Sequence, residues 1–343
     1  MMKALLLKNE GFARTAPDSL VLSDMSAYVE LGEIEEPTPA EGQVKIKITL
    51  ASINPSDEMF IMGLYGQPRL LGNAAGFEAV GEVVESGGGP IADGIKGLRV
   101  AFVAAPGLPG TWSEFSIAEA ATCIPLIPGV RDEDGAAMIV NPLTALAMFD
   151  IVKEEDSKSF LVSAGASQLS KLMISVAKDE GYSSIAIVRR DSQIEMLKEL
   201  GATHVLNSES ETFSKDLRTL TRSEKPRVFL DAVANQTSAQ IFDAMPNRAR
   251  WVIYGKLDKQ LPTIMQPGQL IFQSKRIEGF WLTRWMLDKP MADKMAAIQA
   301  VQSRFSSGEW QTDVTAIVSL DEAIQRVPEE LAKLNGKVFI KPK

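Results

Sequence analysis

The sequence predicts an α/β protein: a doubly wound parallel sheet joined to a second part built as a twisted partial β-barrel. Three observations carry that expectation. Ser159 to Gly181, SFLVSAGASQLSKLMISVAKDEG, reads as a short buried strand, a turn of small residues and a helix with an apolar stripe. From about residue 140 to 305, apolar runs alternate with helical periods, the pattern of a parallel sheet covered on both faces. Ahead of about residue 125, short strands alternate polar and apolar residues between glycine-rich turns.

In chain order, MMKALLL is an apolar run followed by Glu10 and no cleavage site, so it reads as a first strand and not as a signal peptide. Gln43–Ile48, Ala79–Glu85 and Leu98–Val103 follow as strands, and Gly110–Phe115 begins another. Asp132 to Met138 opens a helix with acids at its start, as the helix dipole favours. The second part supplies strands at Phe160–Val162, Ile185–Val188, His204–Leu206, Val228–Asp231, Arg250–Tyr254 and Arg276–Phe280, with helices at Gln193–Leu200 and Ser238–Ala244. The tail from Trp310 returns to strand-like pieces, Thr315–Val318 and Lys337–Ile340, and is expected to rejoin the first part. The domains expected are residues 1–140 with 306–343, and residues 141–305.

The 343 residues suffice for two cores, and 45% hydrophobic with 23% charged residues is ordinary for a globular chain. A net charge of −8 argues against nucleic acid or an anionic membrane as the main partner. No apolar run reaches the roughly 20 residues of a membrane helix. One cysteine, Cys123, permits no intrachain disulfide and fits a reducing cytoplasm; among Ala and Ile it reads as a small buried hydrophobe. With one histidine besides, a zinc site of nitrogen and sulfur ligands cannot be built. That histidine, His204 in GATHVLN, reads as a turn residue with no chemistry.

The small-residue turn Ala164–Ser167 between strand and helix is the entry by which a dinucleotide-binding unit cradles phosphate on backbone N–H groups. Gln168 and Ser170 stand where a GxGxxG pattern has glycines, which leaves an ordinary strand–turn–helix as the competing reading. The next strand ends in Arg189-Arg190-Asp191. Guanidinium there suits a ribose 2′-phosphate and selects NADPH over NADH, against the plainer reading of two solvated arginines at a helix start. Ligands of such sheets sit beyond the carboxyl ends of the strands. Ser163, Arg189, Asp231 to Val233, Tyr254-Gly255-Lys256 and Phe280-Trp281-Leu282 are therefore expected to converge on one crevice. Asp231 itself reads as a cap of the turn into the next helix.

With these segments in view, the chain resembles the medium-chain dehydrogenase/reductase superfamily, whose fold pairs a GroES-like partial β-barrel with a Rossmann dinucleotide-binding domain. It is similar to the zinc-free branch: Gly76-Phe77-Glu78 replaces a Gly-His-Glu ligand motif, and Asn54 stands at an earlier cysteine ligand. More narrowly it resembles the NADPH-dependent 2-enoyl thioester reductases of the mitochondrial type. The similar stretches are Ile53–Asp57, Gly63–Gly66, Gly107–Trp112, Val140–Ala145, Val188–Asp191, Tyr254-Gly255 and Gly279–Trp285. The resemblance implies Tyr65 as proton donor; Asn54, read as orienting the substrate carbonyl, completes the catalytic pair. It implies NADPH contacts from Asn141, Thr144, the turn residues Ser167, Gln168, Leu169 and Ser170, and from Arg189, Arg190, Tyr254, Gly255, Phe280, Trp281, Leu282 and Lys337. It implies no metal, and a homodimer joined through an edge strand of the cofactor sheet, for which Trp251–Ile253 and Ile277–Phe280 are the candidates.

The chemistry implied is hydride transfer from NADPH to an electron-poor alkene or quinone, with Tyr65 protonating the α-carbon of an enoyl thioester. Tyr65 also reads as a loop aromatic shielding a cleft, and Asn54 and Asn141 as turn residues before proline. Trp281 walls a substrate pocket or fills a core. Two other functions share the pattern: an NADPH:quinone reductase, and a non-catalytic NADPH-binding protein, to which the side chain of Gln168 in the phosphate turn points.

Overall fold

The computed structural model describes residues 1–15, 19–333 and 336–342. They form two compact units, Met1–Val140 with Ala296–Lys343, and Asn141–Met295. The return to the first unit falls at Ala296, inside the helix Met291–Ser306, and not at residue 306. The end of that helix buries Val301 and Phe305, and Gln302 Oε1 accepts the Ile127 N–H at 3.0 Å.

In the first unit β1 (Met2–Leu7) pairs antiparallel with β2 (Val29–Ile34). The main sheet contains β3 (Gln43–Ser52), β4 (Glu78–Ser86), β5 (Arg99–Val103), β6 (Phe115–Glu119) and β7 (Ile124–Pro125). β3 is its spine, antiparallel to both β4 and β6. The polar–apolar alternation of β3 becomes a buried face of Val44, Ile46, Ile48 and Leu50. The strand expected from Gly110 begins only at Phe115. Residues 110–114 are pinned as a turn: a Cβ on Gly110 would meet Ala75 O at 2.3 Å, and buried Trp112 donates Nε1–H to Ser52 O at 3.2 Å. A short helix, Pro55–Ile61, follows β3 where the sequence reads as a turn.

The second unit is a six-stranded parallel sheet of β8 (Ser159–Val162), β9 (Ser183–Val188), β10 (His204–Asn207), β11 (Val228–Asp231), β12 (Arg250–Ile253) and β13 (Arg276–Gly279). Their order is β10-β9-β8-β11-β12-β13, so the winding reverses between β8 and β11. The expected strands are all present; the four inner runs are buried on both faces, as with Leu161, Ile185, Phe229 and Trp251, while the edge strands β10 and β13 are half-buried to exposed. Phe229 stacks on Trp251 at 6.3 Å between ring centroids, and Phe242 leans on the same indole at 5.5 Å. β12 lies inside the sheet with Trp251 1% exposed, so Trp251–Ile253 cannot form an edge. The edge on that side is β13, whose Ile277 is 39% exposed.

The tail closes the first unit. β14 (Val314–Ser319) runs parallel to β15 (Lys337–Lys341), and β15 pairs antiparallel with β3. No helix among the described residues is long and apolar enough to cross a membrane.

Candidate nucleotide-binding and catalytic site

At the carboxyl end of β8 the chain turns sharply. Ala164 takes a left-handed φ of +47°, and Gly165 N–H donates to Ile187 O on β9 at 2.9 Å. A Cβ on Gly165 would come within 3.0 Å of the Ala186 Cβ, so the turn is pressed against β9. Ser167 caps the helix Gln168–Asp179, its Oγ accepting the Ser170 N–H at 3.2 Å. Ser170, in a glycine's place, is fully buried and donates Oγ–H to Ser163 O at 3.1 Å. A serine is therefore accommodated by a hydrogen bond where a glycine gives close helix–strand packing. The tight turn, the capped start and the positive end of this helix fit a phosphate-bearing ligand.

The neighbouring strand ends join this turn. Arg189 and Arg190 leave β9 exposed to solvent. Asp258, beyond β12, has its carboxyl held below the usual range by Asn235 and the Gln260 N–H, and Lys256 and Arg189 add to the effect. Tyr254 N–H donates to Asp231 O at 2.9 Å, and Phe280 N–H to Ile253 O at 2.9 Å. Burial raises the Tyr254 phenol above its ordinary value against a smaller opposing effect of Ser170, so it stays protonated beneath the turn. Gly255 lies against the next turn, where a Cβ would meet Ala232 O at 3.0 Å.

Asp231 caps the turn into the next helix, as expected: its carboxylate takes the Val233 and Ala234 N–H groups. The helix Gln236–Ala244 is capped by Asn235, whose Oδ1 accepts the Ser238 N–H at 3.1 Å. Asp231 is fully buried, and its oxygens accept from Ser163 Oγ at 2.6 Å, Val233 N at 2.9 Å, Ala234 N at 3.1 Å and Trp251 Nε1 at 2.8 Å. The carboxylate thus caps the turn and at the same time ties it to the residue after β8 and to β12 through Ser163 and Trp251.

Asn141 and Thr144 lie in the first turn of the helix Val140–Lys153, so Asn141 is helical and not a turn residue. Phe280, Trp281, Ile151, Arg284 and Trp285 line a pocket of about 380 Å³. Trp281 is 40% exposed at its wall, so it is no core residue.

Asn54, Tyr65 and Lys337 belong to the first unit. Asn54 is buried at the start of the helix Pro55–Ile61, its N–H bonded to Asp57 Oδ2 at 2.9 Å. Its amide donates to Ser52 Oγ at 3.1 Å and Glu78 Oε1 at 2.9 Å, and its Oδ1 accepts from Lys337 Nζ. The side chain is thus engaged inside the protein. Glu78 gathers four donors, taking Ser52 Oγ at 2.8 Å besides Asn54, and the N–H groups of Ile139 at 3.1 Å and Val140 at 2.8 Å. Burial pushes the Asp57 carboxyl up to about 7, with the Asn54 N–H and Lys337 opposing and Glu78 adding. Burial lowers the Lys337 ammonium, with Glu78 and Asp57 opposing. Tyr65 packs half-buried on Phe77, ring centroids 5.2 Å apart.

The comparisons agree with this division. The family described as alcohol dehydrogenase GroES-like domain matches residues 40–129, and that described as zinc-binding dehydrogenase matches residues 169–299. A mitochondrial enoyl-[acyl-carrier-protein] reductase of Bos taurus is 31% identical over 276 residues, 77% of this chain and 71% of that protein. The chain belongs to the zinc-free branch of the medium-chain dehydrogenase/reductase superfamily. A Mesorhizobium loti structure, provisionally named an NADPH:quinone reductase, is 55% identical with a TM-score of 0.95, covering 99% of this chain and 98% of that one. The Candida tropicalis mitochondrial 2-enoyl thioester reductase heterodimer shares the fold at 21% identity and a TM-score of 0.80, covering 99% of each chain.

Within this superfamily of oxidoreductases the two ligand positions are informative. Phe77 packs on Tyr65 and Phe60, and Asn54 takes the Lys337 ammonium. Among the described residues no three His, Cys, Asp or Glu side chains gather to hold a metal ion. Glu78 and Asp57 are the residues that sequence reasoning missed. Both stand inside motifs quoted for resemblance, and an acid in a hydrophobic strand (Glu78) was the available signal. His204 lies in β10, paired with Glu224 at 3.2 Å. The Cys123 thiol is pushed up to about 12 by burial, with Glu119 adding, which leaves it a poor nucleophile.

Proposed function

We propose that the protein is an NADPH-dependent, zinc-independent reductase of activated C=C bonds, most like a trans-2-enoyl thioester reductase. The observation that carries this reading is the end of β9. Two exposed arginines stand there, where an acid would accept the ribose hydroxyls of NADH, beside a capped phosphate turn. When bound, NADPH supplies the hydride. Arg189 and Arg190 would hold its 2′-phosphate, and the turn Ser167–Ser170 would face its diphosphate. Asn141, Thr144, Tyr254, Gly255 and the Phe280–Leu282 segment would contact the rest of the nucleotide. Lys337 acts from inside its cluster by fixing Asn54. Tyr65 delivers the proton to the substrate's α-carbon: a phenol is acid enough for an enolate, which is a stronger base.

The 55% identity to the Mesorhizobium loti structure favours a second reading, an NADPH:quinone reductase. The exposed edge β13 accepts a second copy, which gives a homodimer. The unpaired thiol Cys123 suits a reducing compartment such as the cytoplasm, although the enoyl reductase relatives are named mitochondrial.

Fluorescence titration with NADPH and NADH, followed by turnover of crotonyl thioester against a benzoquinone, tests the proposal. Preference for NADPH with faster thioester turnover supports it; faster quinone turnover supports the second reading. Binding of neither nucleotide would point to a protein that has lost its cofactor.

A further inference from the structure

The doubly wound sheet is two mononucleotide-binding halves, β8-β9-β10 and β11-β12-β13, meeting between β8 and β11. At that seam the two turns that face ligand are joined by side chains. Ser163, the residue after β8, donates its hydroxyl to Asp231 Oδ1 at 2.6 Å, and the same hydroxyl oxygen accepts the Ala232 N–H at 2.8 Å. Since Ser163 Oγ accepts from Ala232, its single hydrogen is committed to Asp231. Asp231 in turn holds the N–H groups of Val233 and Ala234, the latter in a left-handed conformation at φ +53°, and the Trp251 indole from β12. Ser163 is 4% and Asp231 0% exposed, so water does not compete for these bonds. Ser163 O also accepts from Ser170, which leads into the phosphate turn.

We propose that the Ser163–Asp231 hydrogen bond is a clamp that registers the two halves of the nucleotide site, making both side chains positioning residues for NADPH. This rests on the NADPH reading above. A clamp at the seam acts on a ligand that spans both halves and hardly at all on one that fills a single half. The probes are therefore NADPH, which spans the seam, and adenosine 2′,5′-bisphosphate, which needs only the half carrying Arg189.

Ser163→Ala removes the clamp and leaves Asp231 its three other donors, so the unit folds. Its Kd for NADPH is expected to rise about tenfold while that for adenosine 2′,5′-bisphosphate moves less than twofold. Ser163→Thr, which keeps the hydroxyl, is expected to restore the ratio of the two constants. Equal shifts for both ligands, no shift for either, or a Thr variant that behaves like the Ala variant would overturn the clamp while leaving NADPH binding intact. A wild-type protein that binds neither ligand would overturn the clamp and the NADPH reading together.

Discussion

Lys337 places its buried ammonium on the Oδ1 atom of Asn54, tying the C-terminal strand β15 to the start of the first helix. Asp57 and Glu78 are the charges that oppose it. One buried cation thus answers two carboxyl groups, and removing it leaves them uncompensated in a site closed to water. Lys337→Met is expected to lower the stability of the protein by about 3–5 kcal/mol at pH 8, measured by urea unfolding. Lys337 lowers the Asp57 pKa, so its loss drives that pKa above 7. The deficit therefore shrinks at pH 5, where Asp57 is protonated in either protein. A deficit that does not change with pH would remove Asp57 from this account.

Glu58, on the same short helix, gives a pH effect of its own. Burial pushes its carboxyl from 4.5 up to about 7, against an opposing hydrogen bond from the Leu22 backbone. Folding therefore favours the protonated acid. Its stabilising contribution is complete below about pH 4.5 and is lost as pH rises through 7. Glu58→Gln stays neutral and keeps an acceptor for Leu22. It should match wild type at pH 4 and exceed it by up to about 3 kcal/mol at pH 8. Thermal melts of both proteins across that range decide the matter.

What could be read in advance divides by range. The inner strands of the parallel sheet are legible because each is an apolar run buried on both faces, as at Ile185–Val188. The order of those strands is not, since pairing is a long-range property; hence the sequence leaves Trp251–Ile253 and Ile277–Phe280 both as edge candidates, and only the second, in β13, lies at the edge. The helix Pro55–Ile61 was hidden by Asn54-Pro55, which suits a turn equally well. Its signal was the acid at Asp57 reaching back to the cap. Tyr65 and Arg189 were visible as site candidates from local pattern and resemblance. Asn54 was also visible, but not that its amide is occupied by Glu78 and Lys337, because those partners come from distant strands.

Arg189 and Arg190 separate the two nicotinamide cofactors. Both are exposed, so replacing them costs little folding stability. Charge-assisted bonds to a 2′-phosphate contribute roughly 1.5–3 kcal/mol. The double change of Arg189 and Arg190 to Ala is expected to weaken NADPH binding about 10- to 100-fold and to leave NADH binding within twofold. Fluorescence titration at fixed ionic strength measures both. An equal loss for the two cofactors would place the arginines elsewhere than at the 2′-phosphate.

Tyr65 separates chemistry from binding. Its ring packs on Phe77, a contact that phenylalanine retains, so Tyr65→Phe subtracts only the hydroxyl. The loop is shaped by Gly63, whose φ is +76° and where a Cβ would come within 2.6 Å of the Arg69 guanidinium, so another residue would be strained there. Arg69 is itself held by the Gly11 and Ile61 carbonyls, so the substitution has little cause to move the loop. If the hydroxyl is the proton donor, kcat with crotonyl thioester falls about 10²- to 10⁴-fold while the Kd for NADPH stays unchanged. A quinone takes its protons from solvent more readily than an enolate carbon does, so the same variant should keep most of its quinone turnover. Equal losses on both substrates would mean that Tyr65 shapes the pocket; no loss on the thioester would exclude it as the acid.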